Sequence, residues 1–330
     1  MDDDAGARVV TGQVWAEFCD ALKAAGEEVS RPGVGDPVDI AEGYRMLTRL
    51  MRGSLESRLE YGDPAYPALI CTCHETIKSV AENPDNLYLG SRISGRYDYW
   101  IWGTRGEARG ISFNTFNAGG FGGEGGRGTG TTLHEHQLDI APDGTFEVVL
   151  SQHPQPGNWL ALEPDSTSVT IRQTFLHKGL DQPASPHIER RDADRDGPPA
   201  PLQPAHLASS LRATTAYVRA IPAIGASWAE RNATHPNVFY DAQADDTRLF
   251  ADPQIRWHMA YLALNEDEAL IVEFVPPVCD YWMVALHNHW METLDYRYHP
   301  IRSTGRRPIG KRTERCGSWW SIATPVFRTG

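Results

Sequence analysis

The sequence predicts an α+β fold, in which an antiparallel β-sandwich or jelly-roll-like core from two related halves carries N-terminal and central helices on its outside. Helical periodicity is confined to the N-terminal region and one central stretch, whereas short alternating segments between Gly and Pro turns fill residues 83–178 and 255–300. The tripeptide Asp-Tyr-Trp occurs at residues 98–100 and again at 280–282, each time in a predicted strand. This recurrence indicates a duplicated half-sheet.

The order of these patterns divides the chain of 330 residues into five parts. They are a helical N-terminal region (1–82), a first β half (83–178), a linker with the central helix (179–254), a second β half (255–300) and an irregular tail (301–330). Hydrophobic residues make up 41% of the chain, which is enough to build a full core.

Three stretches have the apolar spacing of amphipathic helices. Asp36 and Pro37 supply a cap and a first-turn proline to the second of them. Pro222 is expected to end or kink the third, because proline lacks the N–H donor that a helix interior needs. The predicted bounds are 11–26, 36–62 and 204–220.

The clearest β pattern runs from residue 143 to 175. An Asp-Gly turn opens it, and alternating apolar residues then predict a half-buried strand. A Pro/Gly loop closes on Asn158-Trp159 and leads to a strand at 168–175, where polar residues, Arg172 among them, alternate with apolar ones.

This pattern resembles the domain of unknown function 1214 family of bacterial proteins. The likeness lies in the order of its parts, which are a turn, a strand, a loop that closes on Asn-Trp, and a strand that carries Arg172. Residues 83–88 and 99–113 are also similar to that family, as are residues 279–296, so the likeness extends over about 80–300. The resemblance implies a β-sandwich-like core with helical additions. It implies no reaction.

The tail is basic and aperiodic in an otherwise acidic chain. Back-translated with GC-rich codons, it can be read in another frame as VNRPTAHREANGAVRIVVVDRDPGVPDW, which restores a turn, an apolar strand, a Pro/Gly loop and a closing Asp-Trp. We therefore hypothesise a shifted reading frame from about Arg302 onward. The gene sequence tests this, since the hypothesis requires a single-base change that yields the restored string.

The charge and composition of the chain limit which partners and which cellular compartment we expect. A net charge of −12 disfavours phosphate backbones and anionic membranes, so no nucleic-acid partner is expected. The N-terminal MDDDAGARVV lacks the features of a signal peptide, and no apolar run reaches the ~18 residues of a membrane span. We expect a cytoplasmic protein with reduced thiols, because its five cysteines are scattered and odd in number. Homo-oligomerisation stays open.

The glycine-rich stretch 117–130 is not predicted to be a phosphate loop. A phosphate cradle needs a following helix N-terminus, whereas here a strand-like segment follows. The stretch is expected to be a flexible lid or an exposed loop.

Two His-x-His pairs are the candidates for catalysis. On a strand, His134 and His136 would share one face, and so would His287 and His289. Their imidazoles could hold Zn²⁺ or Fe²⁺, and His134 and His136 are the weak candidates for such a site; no cofactor is otherwise predicted. The alternatives are partly buried, hydrogen-bonded histidines, or histidines used in ligand contact or acid–base chemistry.

Candidate ligand-binding residues come from the aromatic strands and from the segments that resemble the family. Arg172 could bind an anion or form a cross-strand salt bridge, while Asn158 and Trp159 could fix a loop and fill the core or contact a ligand. The full set is Arg172, Trp100, Tyr281, Asn158, Trp159, Asn288 and Trp290.

The sequence favours two alternative functions. The first is binding of a small hydrophobic or aromatic molecule in a cavity of the sandwich, which the aromatic strands favour. The alternative is a hydrolase- or lyase-type enzyme that uses the paired histidines, with or without a metal.

Overall fold

The computed structural model describes residues 2–31, 34–118, 129–191, 197–242, 254–265, 267–268, 270–307 and 316–320. Most of the glycine-rich loop and most of the predicted irregular tail lie outside these residues. The described chain has a mixed α+β fold, as the sequence predicts.

The helices are α1 (Asp2–Val10), α2 (Gln13–Val29), α3 (Pro37–Leu55) and α4 (Pro204–Ala233). The start of α3 is confirmed, since the Asp36 carboxylate accepts hydrogen bonds from the backbone N–H groups of Val38 and Asp39. The expected end of the helix at Pro222 is wrong, because α4 continues through it to Ala233; the alternative, a kink at Pro222, stays a prediction. Burial of Ile221 and Trp228 against α3 accounts for this difference, since packing outweighs one lost hydrogen bond.

None of these helices, taken over the described part of the chain, combines the length and apolar character that a membrane crossing needs. Cytoplasmic location stays a prediction.

The described strands form two larger sheets and three two-stranded ones. In chain order they are β1 (Ile70–Cys73), β2 (Asn86–Arg92), β3 (Tyr99–Thr104), β4 (Gly110–Asn117), β5 (Thr129–His134), β6 (Thr145–Ser151), β7 (Trp159–Ala161), β8 (Ser166–Thr174), β9 (Ser185–Arg190), β10 (Tyr240–Asp241), β11 (His258–Met259), β12 (Leu270–Phe274), β13 (Cys279–Ala285), β14 (Arg302–Arg307) and β15 (Cys316–Trp320).

One apolar core joins the two larger sheets. The five-stranded sheet has the antiparallel order β1-β2-β8-β4-β5, and the four-stranded sheet has the order β7-β6-β3-β9, with β6 and β7 parallel. Phe113 and Ile171 of the first sheet and Tyr99, Ile101 and Val148 of the second are fully buried in this core. The opposite face of the five-stranded sheet is therefore left for other elements to cover.

The second β half differs from the first in its pairing. β13 pairs with β14, and β12 pairs with β15, each as a two-stranded antiparallel unit. The expectation of a wholly irregular tail is thus wrong for residues 302–307 and 316–320, whose backbones are held in these ladders. Tyr99 and Tyr281, the central residues of the repeated tripeptide, also differ, because only Tyr99 lies in the core between the larger sheets.

Trp290 anchors the segment after β13 to the helices. Its side chain is 1% exposed, and its indole N–H donates to the Asp39 carbonyl at 2.6 Å. Gly43 on α3 and Gly225 on α4 permit this approach, because a Cβ at either position would lie 2.7 Å from Trp290. The segment is therefore fixed between the helices and the five-stranded sheet.

Candidate functional site

A cavity of about 1920 Å³ lies between the outer face of the five-stranded sheet and the helices α3 and α4. β2, β8 and β4 form its floor, and the two helices form one wall. Residues 279–289 and Met291 form part of the opposite wall. The cavity thus lies on the side of the sheet that faces away from the apolar core.

A single cross-strand row brings two of the predicted residues together on the cavity floor. Arg172 of β8 is opposite Tyr88 of β2 and Ser112 of β4, and Ser112 is opposite His134 of β5. The Arg172 guanidinium lies 5.8 Å from the centre of the Tyr88 ring, within range of a cation–π interaction. Burial raises the pKa of the Tyr88 hydroxyl to about 12, so Tyr88 is neutral at physiological pH.

Glu82 is a buried carboxyl group at the edge of the cavity. Its Oε1 accepts hydrogen bonds from the backbone N–H of Thr293, at 3.0 Å, and from the Thr293 hydroxyl. Its Oε2 has no hydrogen-bond partner in the described chain, although the residue is only 5% exposed. Burial, the largest effect, raises the pKa of Glu82 to about 8.

His287 lies next to the residue that holds the Glu82 carboxyl group. It forms an isolated antiparallel bridge with Thr293, the residue that donates to Glu82. Its Nε2 is buried and unpartnered within the described ranges, and it lines the cavity. Burial lowers the pKa of His287 to about 4, and backbone hydrogen bonds at Glu82 and Ala285 act in the opposite direction. The imidazole is therefore neutral near pH 7.

A polar cluster holds Tyr281, one of the predicted ligand-binding residues. The Tyr281 hydroxyl donates to Asp85 at 3.0 Å and accepts from the Asn83 amide at 2.9 Å. Burial and the Asp85 carboxylate raise the pKa of Tyr281. Arg302 donates its Nε–H to the second Asp85 oxygen at 2.6 Å. Thus a residue at the start of the stretch with the hypothesised frame shift pairs with a carboxylate that is 1% exposed.

The fold is closely similar to that of a solved structure. An uncharacterised protein from Burkholderia cenocepacia is 40% identical to the chain and superposes with a TM-score of 0.86, over 90% of this chain and 83% of that one. The chain belongs to the family of this Burkholderia protein. No family model and no curated protein matches the chain significantly. The VPA0106 protein from Vibrio parahaemolyticus is only a weak match. It is 13% identical, with a TM-score of 0.28 over 55% of this chain and 52% of that one.

In this chain, the two histidine pairs do not share strand faces as the alternation predicts. β5 ends at His134, and His136 lies exposed in a 3-10 turn, Glu135–Gln137, with the two rings 5.8 Å apart and nearly parallel. β13 ends at Ala285, so His287 and His289 follow the strand instead of continuing it. The expected shared strand faces are wrong because both strands end too early.

The described residues contain no group of three or more His, Cys, Asp or Glu side chains that could hold a metal ion. His134, His287 and His289 nevertheless line the same cavity. His289, like His287, has a buried Nε2 that lacks a partner in the described chain. Three of the four predicted histidines thus line one cavity.

Three of the other candidates lie away from the cavity. Trp100 stacks on Trp102 on the four-stranded sheet, with ring centres 4.4 Å apart. Asn158 fixes a loop by donating to the carbonyls of Asp139 and Glu147. Trp159 donates its indole N–H to the Ser151 carbonyl at 3.0 Å. None of the three lines the cavity formed by the described residues.

Asn288 and Trp290 shape the segment beside the cavity. The Asn288 side-chain oxygen accepts from the N–H groups of Trp290 and Glu292, which holds the turn after His287. Asn288 lines the cavity, whereas Trp290 is buried among the helices.

Sequence reasoning missed Glu82, Lys78, Arg58 and Arg92, all of which line the cavity. Lys78 donates its ammonium to the carbonyls of Thr293 and Leu294, and burial lowers its pKa. Apolar neighbours in the chain, such as Ile77 and Val80, were the available sign that this segment is buried.

Proposed function

We propose that the protein binds a small hydrophobic or aromatic molecule in this cavity. The observation that carries the proposal is the pairing of aromatic walls with buried polar atoms that have no partner in the described chain. Small-molecule sites combine these two features, because apolar surface supplies affinity and a few polar groups fix orientation. The aromatic residues on the wall include Tyr88, Phe116, Tyr217, Trp257, Phe274 and Trp282.

We also propose that the two larger sheets form a sandwich, with the β13–β14 pair as a reduced counterpart of the β3–β6 pair. The shared apolar core supports the first part, and the repeated Asp-Tyr-Trp supports the second. We further propose that this chain and the Burkholderia cenocepacia protein both belong to the domain of unknown function 1214 family. The resemblance of this chain to that family over about residues 80–300 supports the assignment. A solved member of that family with a different fold over this range would exclude the assignment.

Binding is tested with N-phenylnaphthylamine, an uncharged aromatic probe whose fluorescence rises in apolar surroundings. We expect saturable binding of one probe molecule per chain and a rise in the thermal midpoint, because only the folded state offers the cavity. Ala213→Trp on α4 should lower the affinity at least ten-fold, because it places a bulky ring on the cavity wall where the probe would lie.

The matched control is Ala223→Trp, at an exposed position of the same helix that does not line the cavity. Equal affinity in the two variants, or no saturable binding to the parent protein, would exclude this function.

A second candidate function is acid–base catalysis by Glu82 and His287. The observation that favours it is their inverted protonation at neutral pH, with burial raising the pKa of the carboxyl to about 8 and lowering that of the imidazole to about 4. A protonated carboxyl and a neutral imidazole that line one cavity are suited to act as acid and base in a hydrolase or lyase.

Ester and carbon–oxygen lyase substrates that bear an aromatic group would test this second function. We expect His287→Asn to lower kcat at least a hundred-fold with little change in KM, because the base acts in the chemical step. His136→Asn, at the exposed histidine of the 3-10 turn, is the control and should keep full activity. Turnover that survives His287→Asn would exclude His287 as the base.

A further inference from the structure

Two arginines lie at one end of the cavity without a carboxylate partner in the described chain. Arg92, the last residue of β2, is half-buried and lines the cavity. Its guanidinium makes no hydrogen bond or ion pair with any described residue. Arg58 also lines the cavity; its Nε–H donates to the Ser54 hydroxyl at 3.0 Å. By contrast, Arg109, which lines the cavity too, is paired with Asp280.

The two guanidinium groups act on each other. Burial is the main reason that the pKa of Arg92 falls to about 10, and the positive charge of Arg58 lowers it further. Burial likewise lowers the pKa of Arg58. Two partly desolvated like charges near each other are unfavourable, so an anion that binds between them gains attraction to both and relieves their repulsion.

The strand register places suitable neighbours beside Arg92. Ser168 of β8 is opposite Arg92, and Phe116 of β4 is opposite Ser168. Directly opposed residues point to the same face of a sheet, and all three line the cavity. This row therefore offers a cation, a hydroxyl group and an aromatic ring in succession across the floor.

The backbone that carries Arg58 is unusual. Residues Glu56–Glu60 form a π-helical turn directly after α3, a local distortion often found at functional sites. Gly62 packs against this turn, since a Cβ there would lie 1.9 Å from the Arg58 carbonyl oxygen. The Arg58 guanidinium carbon lies 5.7 Å from the Tyr217 ring centre, which further orients the side chain.

We propose that the cavity takes an organic anion, with its carboxylate, sulfonate or phosphate group between Arg58 and Arg92 and its apolar body along Phe116 and the sheet floor. This inference rests on the proposed ligand-binding function and names the class of ligand. Ser168 would donate to the same anionic group, as hydroxyls do at such sites.

The test compares two aromatic probes of similar shape, the anionic anilinonaphthalene sulfonate and the neutral N-phenylnaphthylamine. We expect the anionic probe to bind at least ten-fold more tightly, and Arg92→Met to remove most of this preference while changing the affinity for the neutral probe less than three-fold. Arg92→Lys should restore part of the preference, since it keeps the charge but loses the planar fork.

Arg109→Met is the matched control, because that arginine lines the same cavity but already has Asp280 as its partner. It should leave the preference for the anionic probe within three-fold of the parent value. The apo form of Arg92→Met should unfold at the same or a higher temperature than the parent, since the change removes an unpaired charge.

The outcomes separate the two proposals. Neutral-probe binding without a preference for the anion, or a preference that persists in Arg92→Met, would overturn the arginine site and leave the binding function standing. If Arg92→Met fails to fold, Arg92 is needed for stability, and the proposed anion site is overturned in that case too. Absence of binding by both probes would remove the binding function itself.

Discussion

Replacing Arg49 by methionine is expected to lower the free energy of unfolding by about 3–5 kcal/mol. Arg49 of α3 forms an ion pair with Glu292 at 2.5 Å, and the two side chains are 8% and 1% exposed. The substitution leaves a buried carboxylate without its cation, and such a charge costs far more than the pair itself contributes. Urea unfolding followed by tryptophan fluorescence measures the loss.

The double variant Arg49→Met with Glu292→Met is the control. Exchange of both partners for apolar side chains of similar length should recover most of the lost stability, because no unpaired charge remains. Burial already raises the pKa of Glu292, so the single variant should be least destabilised at low pH, where the carboxyl group is neutral. A loss below about 1 kcal/mol in the single variant would show that the pair does not hold α3 to the C-terminal segment.

The face of a strand could be predicted from the sequence, but its neighbours could not. Alternation placed Arg172 opposite the apolar side of its strand, and the buried Ile171 confirms this. The row that joins Arg172 to Tyr88 and His134 depends on the order β2-β8-β4-β5, which is not the order of the chain. Pairing between distant strands leaves no local pattern, so the cavity floor could not be derived from alternation.

The buried charges were missed for a related reason. Lys78 and Glu82 are ordinary surface residues by composition, and they become buried only because residues 286–294 pack over them. The sequence predicts a role for His287, but its approach to Glu82 through Thr293 arises from this tertiary contact. The local sequence pattern indicated candidate residues such as His287, but contacts between distant parts of the chain determine which side chains lie close together.

Glu82→Gln is expected to flatten the pH dependence of stability above pH 6.5. Burial raises the folded-state pKa of Glu82 from 4.5 to about 8, so the folded state keeps a proton that the unfolded state loses. Stability of the parent protein therefore falls as pH rises between these values. The lowered pKa of His287 acts oppositely, but its effect is complete by about pH 6.5, the ordinary value.

Between pH 6.5 and 8, only Glu82 of these two groups changes the stability. The free energy of unfolding of the parent should therefore fall by about 2 kcal/mol over this range, whereas that of Glu82→Gln should not. Glutamine can still accept the hydrogen bonds from Thr293, so the comparison isolates the charge. Burial also lowers the pKa of Lys78, which makes stability rise with pH and so opposes the effect of Glu82. Lys78 is present in both the parent and Glu82→Gln, so the difference between their profiles reports Glu82. Glu147→Gln, at an exposed position of β6, should keep the parent profile. A parent stability that rises over this range would mean that Glu82 is ionised in the folded protein, and the acid–base candidate would lose its proton donor.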